Sequence, residues 1–512
     1  MTLNSKLLGS AAVALLAATF AVPAQAQTTA LYGGGSTFVE KVYRDTFDCY
    51  GNHSSGDLIA GLASPPASCN AATPYRSNVE AIYLGVGSGN GKKGYVSHDS
   101  SHFTDGPKTP DLTPNASPSD FGPFFGTGTG AGWARNTTDT GPFFPSVHFI
   151  GSDDPLLASD ITTYNTNSGG HWGAPIQVPG IIGEIAVGFH QTATWTEKGK
   201  KVTGGSSLVD VTTDTLCGII SGAITDWSDN AFKATNGGVQ LGSGPITVVY
   251  RSDGSGSTFL FTNALINQCA ATTHPIPASW QTAAGNSSGV GNNSWFVNVK
   301  TAGLLPANFT GASGSGAVKA AVLATVGAIG YISQDFVLPI DPAGPKALNL
   351  QTFASIAGTP VFKAPTAKNG TAIVGSAKAP SFAKNSCPSA PGGICAADPL
   401  NWGPAFPTPT SAAAYPIGGF SFIDTYTCFA SATDKDAIAG TTAGSLGLLR
   451  WFFGSATENS GLVKTAFNAN GFALIPGSWI GAVKKLLTTN KPTAIGTPGQ
   501  ANTGCTTVTG GA

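Results

Sequence analysis

Residues 248–265 read VVYRSDGSGSTFLFTNAL. An apolar run, Val248 to Tyr250, stops at a single arginine, Arg251. A loop of Ser, Asp and Gly follows, then an apolar stretch with helical spacing. The order is strand, polar glycine turn, helix. A helix N-terminus presents unpaired N–H groups and the positive end of the macrodipole, a ready site for an anion. Glycine lets the backbone approach the anion closely. Serines add neutral hydroxyl donors, and one guanidinium supplies a two-pronged fork suited to an oxyanion. The stretch reads as half of an anion cradle.

The same design recurs elsewhere in the chain. Gly35-Ser36-Thr37-Phe38 and Gly151-Ser152-Asp153-Asp154 each follow a strand-like run and precede a helical one. Asp154 is the expected N-cap there, with Pro155 at the first helical position. A fourth loop, Gly87-Ser88-Gly89, follows a strand with no evident helix behind it. One such turn alone more often caps a helix than binds a ligand, and Arg251 has a neighbouring partner in Asp253. Three or four together, with one arginine, favour the anion. Pro175–His190 reads as an apolar strand, Leu216–Ser228 as a helix that turns, and Val326–Phe336 as a strand and turn. Helices are expected around Ser445–Phe453 and Ile480–Leu487. Short strands alternating with helices argue an α/β fold.

The chain has 512 residues, enough for two domains with their own cores. Hydrophobic residues make up 41% and charged residues only 10%, against about 25% charged in an average domain. The surface must therefore be rich in Ser, Thr, Asn and Gly. A formal net charge of −1 excludes bulk electrostatic attraction to nucleic acid or acidic membranes. The first residues carry one basic residue, Lys6, an apolar run from Leu7 to Val22, and Ala24-Gln25-Ala26, a small-x-small cleavage site. This is the pattern of a signal peptide over residues 1–26, too short to anchor the chain. Its removal takes one lysine and no acid, which leaves a net −2.

Export makes the eight cysteines candidates for disulfides. Sequence alone does not fix the pairing; neighbour pairing gives Cys49–Cys69, Cys217–Cys269, Cys387–Cys395 and Cys428–Cys505. A zinc site is the weaker alternative, because no C-x-x-C spacing occurs.

Several stretches carry a family resemblance: GGGSTFVEKVY, YLGVGSGNGKKG, GSDDPL, PIQVPGIIGEIAV, LCGIISGAITDWS, GPITVVYRSDGSGSTFLFTNAL, AIGYISQDF and GFALIPGSW. In this order, from about residue 30 to 490, they resemble the PstS-type phosphate-binding proteins of the ABC phosphate uptake system, and more closely the related DING proteins. The chain departs from the DING pattern at its expected mature end, which carries ALYGGG in place of the DING tetrapeptide.

The resemblance implies a two-lobed, Venus-flytrap binding protein with a two-strand hinge. Lobe one would comprise residues 27–182 and 335–512, and lobe two residues 183–334. The hinge crossings would fall near Gln177–Ala186 and Ile329–Pro339. Two excursions rich in Gly and Pro, 98–145 and 364–415, would be insertions in lobe one without an assigned role. The implied phosphate ligands are Thr37, the Phe38 N–H, Ser88 and Asp153 from one lobe. From the other come Arg251, Ser255 and the N–H groups of Gly256 and Ser257. Ser257 stands where the family usually has Thr. Asp253 would hold Arg251, and several DING proteins carry Glu there.

The role of Asp153 has a physical basis. A buried carboxylate can face hydrogen phosphate because that ion always keeps a proton near neutral pH. Sulfate has none, and an uncompensated buried charge costs several kcal/mol, roughly a thousandfold in affinity. The expected function is high-affinity phosphate binding by an exported monomer, without cofactor, metal or catalysis, serving an ABC transporter permease or scavenging phosphate.

Three other readings compete. Gly285-Asn286-Ser287-Ser288-Gly289 matches the G-x-S-x-G nucleophile elbow, but in a polar glycine stretch. HDSSHFTD, with His98, Asp99, His102 and Asp105, suggests a metal site but is expected to be a solvated loop. A DING-like secreted protein that hydrolyses phosphate esters is the functional alternative.

Overall fold

The computed structural model describes residues 29–51, 74–98, 102–103, 147–167, 169–191, 209–285, 290–382, 396–440, 445–489, 493–508 and 510. The proposed signal peptide, most of the 98–145 excursion, Asp99, Asp105, Cys69, Cys387, Cys395 and Asn286–Gly289 lie outside them.

Twelve strands are described: β1 (Thr29–Gly35), β2 (Val79–Gly85), β3 (Phe149–Ser152), β4 (Pro175–Phe189), β5 (Asp210–Val211), β6 (Thr247–Arg251), β7 (Phe309–Ala312), β8 (Ala328–Ser333), β9 (Lys346–Ala347), β10 (Asn349–Gln351), β11 (Phe362–Lys363) and β12 (Gly418–Tyr426). Nine form one sheet in the order β2-β1-β3-β12-β4-β8-β6-β7, with β9 also on β4. At one end β1 pairs parallel with β2 and β3; at the other β6 pairs parallel with β7 and β8. Two antiparallel strands join these parallel groups. β4 pairs with β12 over Pro175–Glu184 and with β8 over Ile185–Phe189. All fifteen β4 residues are buried, consistent with the apolar sequence PIQVPGIIGEIAVGF. This is a mixed α/β fold, as the sequence implies.

The four glycine turns leave the carboxyl ends of β1, β2, β3 and β6, where open α/β sheets place their ligands. Their helices differ in part from expectation. Gly35 leads into the helix Glu40–Tyr50, and Arg251 into Gly256–Cys269. Gly87 also leads into a helix, Ser88–Ser97, which the sequence conceals because three glycines lower its helix propensity. Two of them serve packing: a Cβ on Gly91 would lie 2.7 Å from the Gly35 Cα and one on Gly89 3.1 Å from the Gly254 Cα. Conversely, Asp154 is no N-cap and Pro155 opens no helix. The helix after β3 begins only at Ala158, and the Asp160 carboxylate accepts the Leu157 N–H at 2.9 Å.

Cys217–Cys269 and Cys428–Cys505 are disulfides, with Cα atoms 5.7 and 4.7 Å apart. Cys49 is also oxidised. The described part of the 364–415 excursion packs on β4: Trp402 is fully buried and Gln177 donates to the Pro399 carbonyl at 2.9 Å.

Candidate functional site

The turn after β1 can form only with glycine at its start. Gly35 has φ +129°, and a Cβ there would lie 2.2 Å from the Gly151 carbonyl oxygen. That same oxygen accepts the Ser36 N–H at 2.8 Å, so the turns after β1 and β3 are laid side by side.

Asp153 is fully buried in the second of these turns. Ser36 Oγ donates to its Oδ2 at 2.8 Å and Ser421 Oγ, from β12, donates to its Oδ1 at 2.9 Å. Its own N–H donates to Ser88 Oγ at 3.3 Å. Burial pushes the carboxyl up to about 6, against the opposing pull of both serines and of Arg251.

Arg251 reaches the site from β6 and is 2% exposed. Its Nε and Nη2 donate to the two carboxylate oxygens of Asp253, at 2.7 and 2.5 Å. Nη1 donates to Ser315 Oγ at 3.4 Å. Ser315 in turn lies against Thr37: the hydroxyls are 3.2 Å apart, and the Ser315 N–H donates to Thr37 Oγ1 at 3.3 Å.

The helix Gly256–Cys269 brings three further residues. Ser255 is its N-cap and accepts the Thr258 N–H. Gly256 lies so close to the first turns that a Cβ would be 2.5 Å from Ser88 Oγ and 2.6 Å from Asp153 Oδ2. Ser257 Oγ is buried without a hydrogen-bond partner. Across the same gap the Gly89 N–H donates to the Gly254 carbonyl at 2.9 Å.

Thr37, Ser88, Asp153, Arg251 and Gly256 thus converge on one buried place, with the buried Ser255 and Ser257 on either side of Gly256 in the chain. Phe38 borders it, but its N–H donates to Ser36 Oγ at 3.0 Å. Sequence reasoning missed Ser36, Ser421 and Ser315. Ser36 was signalled by its place in the first glycine turn; Ser421 and Ser315 carry no local signal, since their roles come from strand pairing and long-range packing. Chemically the place suits a small oxyanion. Asp253 offsets the arginine charge, hydroxyls and a helix N-terminus supply neutral donors, and the Asp153 carboxylate can accept a hydrogen bond from a protonated oxygen.

The competing motifs fare differently. Gly285 follows the helix Ala278–Ala283, not a strand, so the strand-to-helix turn of a nucleophile elbow is missing there. His98 is not in a solvated loop: it ends the Ser88 helix with φ 49° and stacks on Trp172 at 3.7 Å. Burial lowers its pKa to about 3, which keeps it neutral. Among the described residues no group of three or more His, Cys, Asp or Glu is placed to hold a metal. Nor is any described helix long and apolar enough to cross a membrane.

A family model described as a PBP superfamily domain matches residues 113–347. A "Phosphate-binding protein" from an unknown prokaryotic organism is 31% identical over 414 residues, 76% of this chain and 95% of the relative. "Alkaline phosphatase L" of Pseudomonas aeruginosa is 28% identical over 492 residues, 93% of this chain and 94% of the relative. Among solved structures, a high-affinity periplasmic phosphate-binding protein, PfluDING, bound with phosphate, is 26% identical. It covers 91% of this chain and 96% of its own, with a TM-score of 0.57.

Proposed function

The chain belongs to the phosphate-binding proteins of the PstS and DING type, and from that premise we propose that it holds one inorganic phosphate between the turns after β1, β2, β3 and β6. One observation carries the reading. Residues from four separate segments meet in one buried place, where a hydroxyl, Ser257 Oγ, lacks a partner. Arg251 and the Thr37, Ser88 and Ser257 hydroxyls donate to the ion, with the N–H groups of Gly256 and Ser257. Asp153 accepts a hydrogen bond from the ion's protonated oxygen. Residues 27–182 with 335–512, and residues 183–334, act as two lobes that close over it. Residues 1–26 direct export, and the loaded protein delivers phosphate to an ABC permease or retains it outside the cytoplasm.

A second reading rests on the relatives named alkaline phosphatase. The geometry favours binding. Among the described residues, the groups around Asp153 and Arg251 are hydroxyls, carboxylates and one guanidinium, and both carboxylates are already engaged, Asp153 by Ser36 and Ser421 and Asp253 by Arg251, rather than left to act as a base. A cleft in which Gly256 nearly touches Ser88 and Asp153 fits a small ion, not an ester with a bulky leaving group.

The test is calorimetric titration of protein stripped of bound ions, with phosphate and then sulfate, alongside an assay for phosphate release from a phosphomonoester. One-to-one phosphate binding without sulfate binding or turnover is expected. A folded protein that gives no heat with phosphate overturns the reading, and steady turnover moves the function to the hydrolase.

A further inference from the structure

We infer that Asn293 latches the cleft shut on its ion by hydrogen-bonding Asp154 across the gap. The inference rests on the phosphate reading and adds a residue that touches no ligand.

Asp154 follows Asp153 and is 4% exposed. Its Oδ2 lies 2.6 Å from Lys92 Nζ in a buried ion pair. Lys92 is one turn along the helix that begins at Ser88, and it is further held by the Asp160 carboxylate and the Pro155 carbonyl, both at 3.3 Å. Burial works against its charge, yet Asp154 and Asp160 outweigh burial and raise its pKa. This ion pair lies wholly on the side of β1, β2 and β3.

Asn293 comes from the other side. Its Nδ2 donates to Asp154 Oδ2 at 2.7 Å. Its backbone carbonyl accepts the Ser255 N–H at 2.9 Å, and Ser255 caps the helix that carries Gly256 and Ser257. Its Oδ1 accepts from Ser294 Oγ at 2.9 Å, which fixes the amide with its nitrogen toward Asp154. One residue therefore ties the N-terminus of the ligand helix to the carboxylate beside the one that reads the ion's proton. An amide bonded to a buried, ion-paired carboxylate is a charge-assisted bond in a low-dielectric site. It can form only when the two sides meet. At this contact, separation leaves the Lys92–Asp154 pair intact and gives up a single hydrogen bond, so the bond weights the closed form without arresting the opening.

A residue that acts on closure affects release more than capture. Asn293→Ala is expected to weaken phosphate binding on the order of tenfold, through faster dissociation with little change in association. The melting temperature of the ion-free protein should hold. Asn293→Asp keeps the acceptor for Ser294 and sets a carboxylate against Asp154, so its loss should be larger. Both rates are measurable by stopped-flow with inorganic phosphate. If wild type fails to bind phosphate, the phosphate reading falls first and the latch with it. If wild type binds and either variant releases phosphate at the wild-type rate, the latch alone is overturned. Slower association with unchanged release also overturns it.

Discussion

At the level of single residues, the proposed selectivity rests on Asp153. Its carboxyl, pushed up to about 6 by burial, is ionised at neutral pH and protonated in mild acid. For the ion-free fold, the stability this group contributes is full below the ordinary carboxylate range and is lost as pH rises through about 6. For ligands, the protonated form becomes a donor and no longer opposes a fully deprotonated anion. Sulfate affinity relative to phosphate is therefore expected to rise as pH falls from 7.5 to 5. In Asp153→Asn sulfate should bind across that range. Competition titrations at several pH values check both, and a flat sulfate profile in wild type would remove Asp153 from the selectivity. Arg251, Thr37 and Asp153 are legible from the residue types in their turns. Ser421, which lies 268 positions from Asp153, is not, because only the pairing of β12 with β3 brings it there.

At the scale of elements, the sequence conveyed strands better than helix ends. Apolar runs such as Pro175–His190 mark β4 almost to the residue, since a strand buried on both faces needs no alternation. The Ser88 helix was hidden by its glycines. Asp154 resembled a cap because its local sequence, aspartate before proline, is a common cap signature. Its carboxylate goes to Lys92 and Asn293, a choice made by tertiary packing. The Cys217–Cys269 bridge ties the helix Thr213–Ser221 to the far end of the ligand helix across a separation of 52 residues. A loop of that length predicts about 4 kcal/mol from constraint of the unfolded chain. Replacing both cysteines with alanine should lower the melting temperature by several degrees. It should leave phosphate affinity within about twofold, because the bridge lies at the opposite end of the helix from Gly256. A large loss of affinity would show that the bridge positions the helix N-terminus.

For the whole molecule, the α/β class and the order of the glycine turns were readable in advance. The packing of the 364–415 excursion on β4 was not, since a stretch rich in Pro, Ala and Ser shows no periodicity. β4 is fully buried and hydrogen-bonded to β12 in one half and to β8 in the other. The two pairings follow one another along one continuous strand, so the halves share a backbone that neither can move without straining the other. Two-lobed chains are commonly imagined as two bodies that melt in turn, whereas here a single backbone ladder runs through both. Heating the ion-free protein should give one calorimetric peak whose van't Hoff and measured enthalpies agree. The β4 amides should exchange their hydrogens for deuterium only at the rate of global opening. Two resolved peaks would show that the halves come apart independently. Phosphate, by this logic, protects residues far from the cleft as strongly as those that line it.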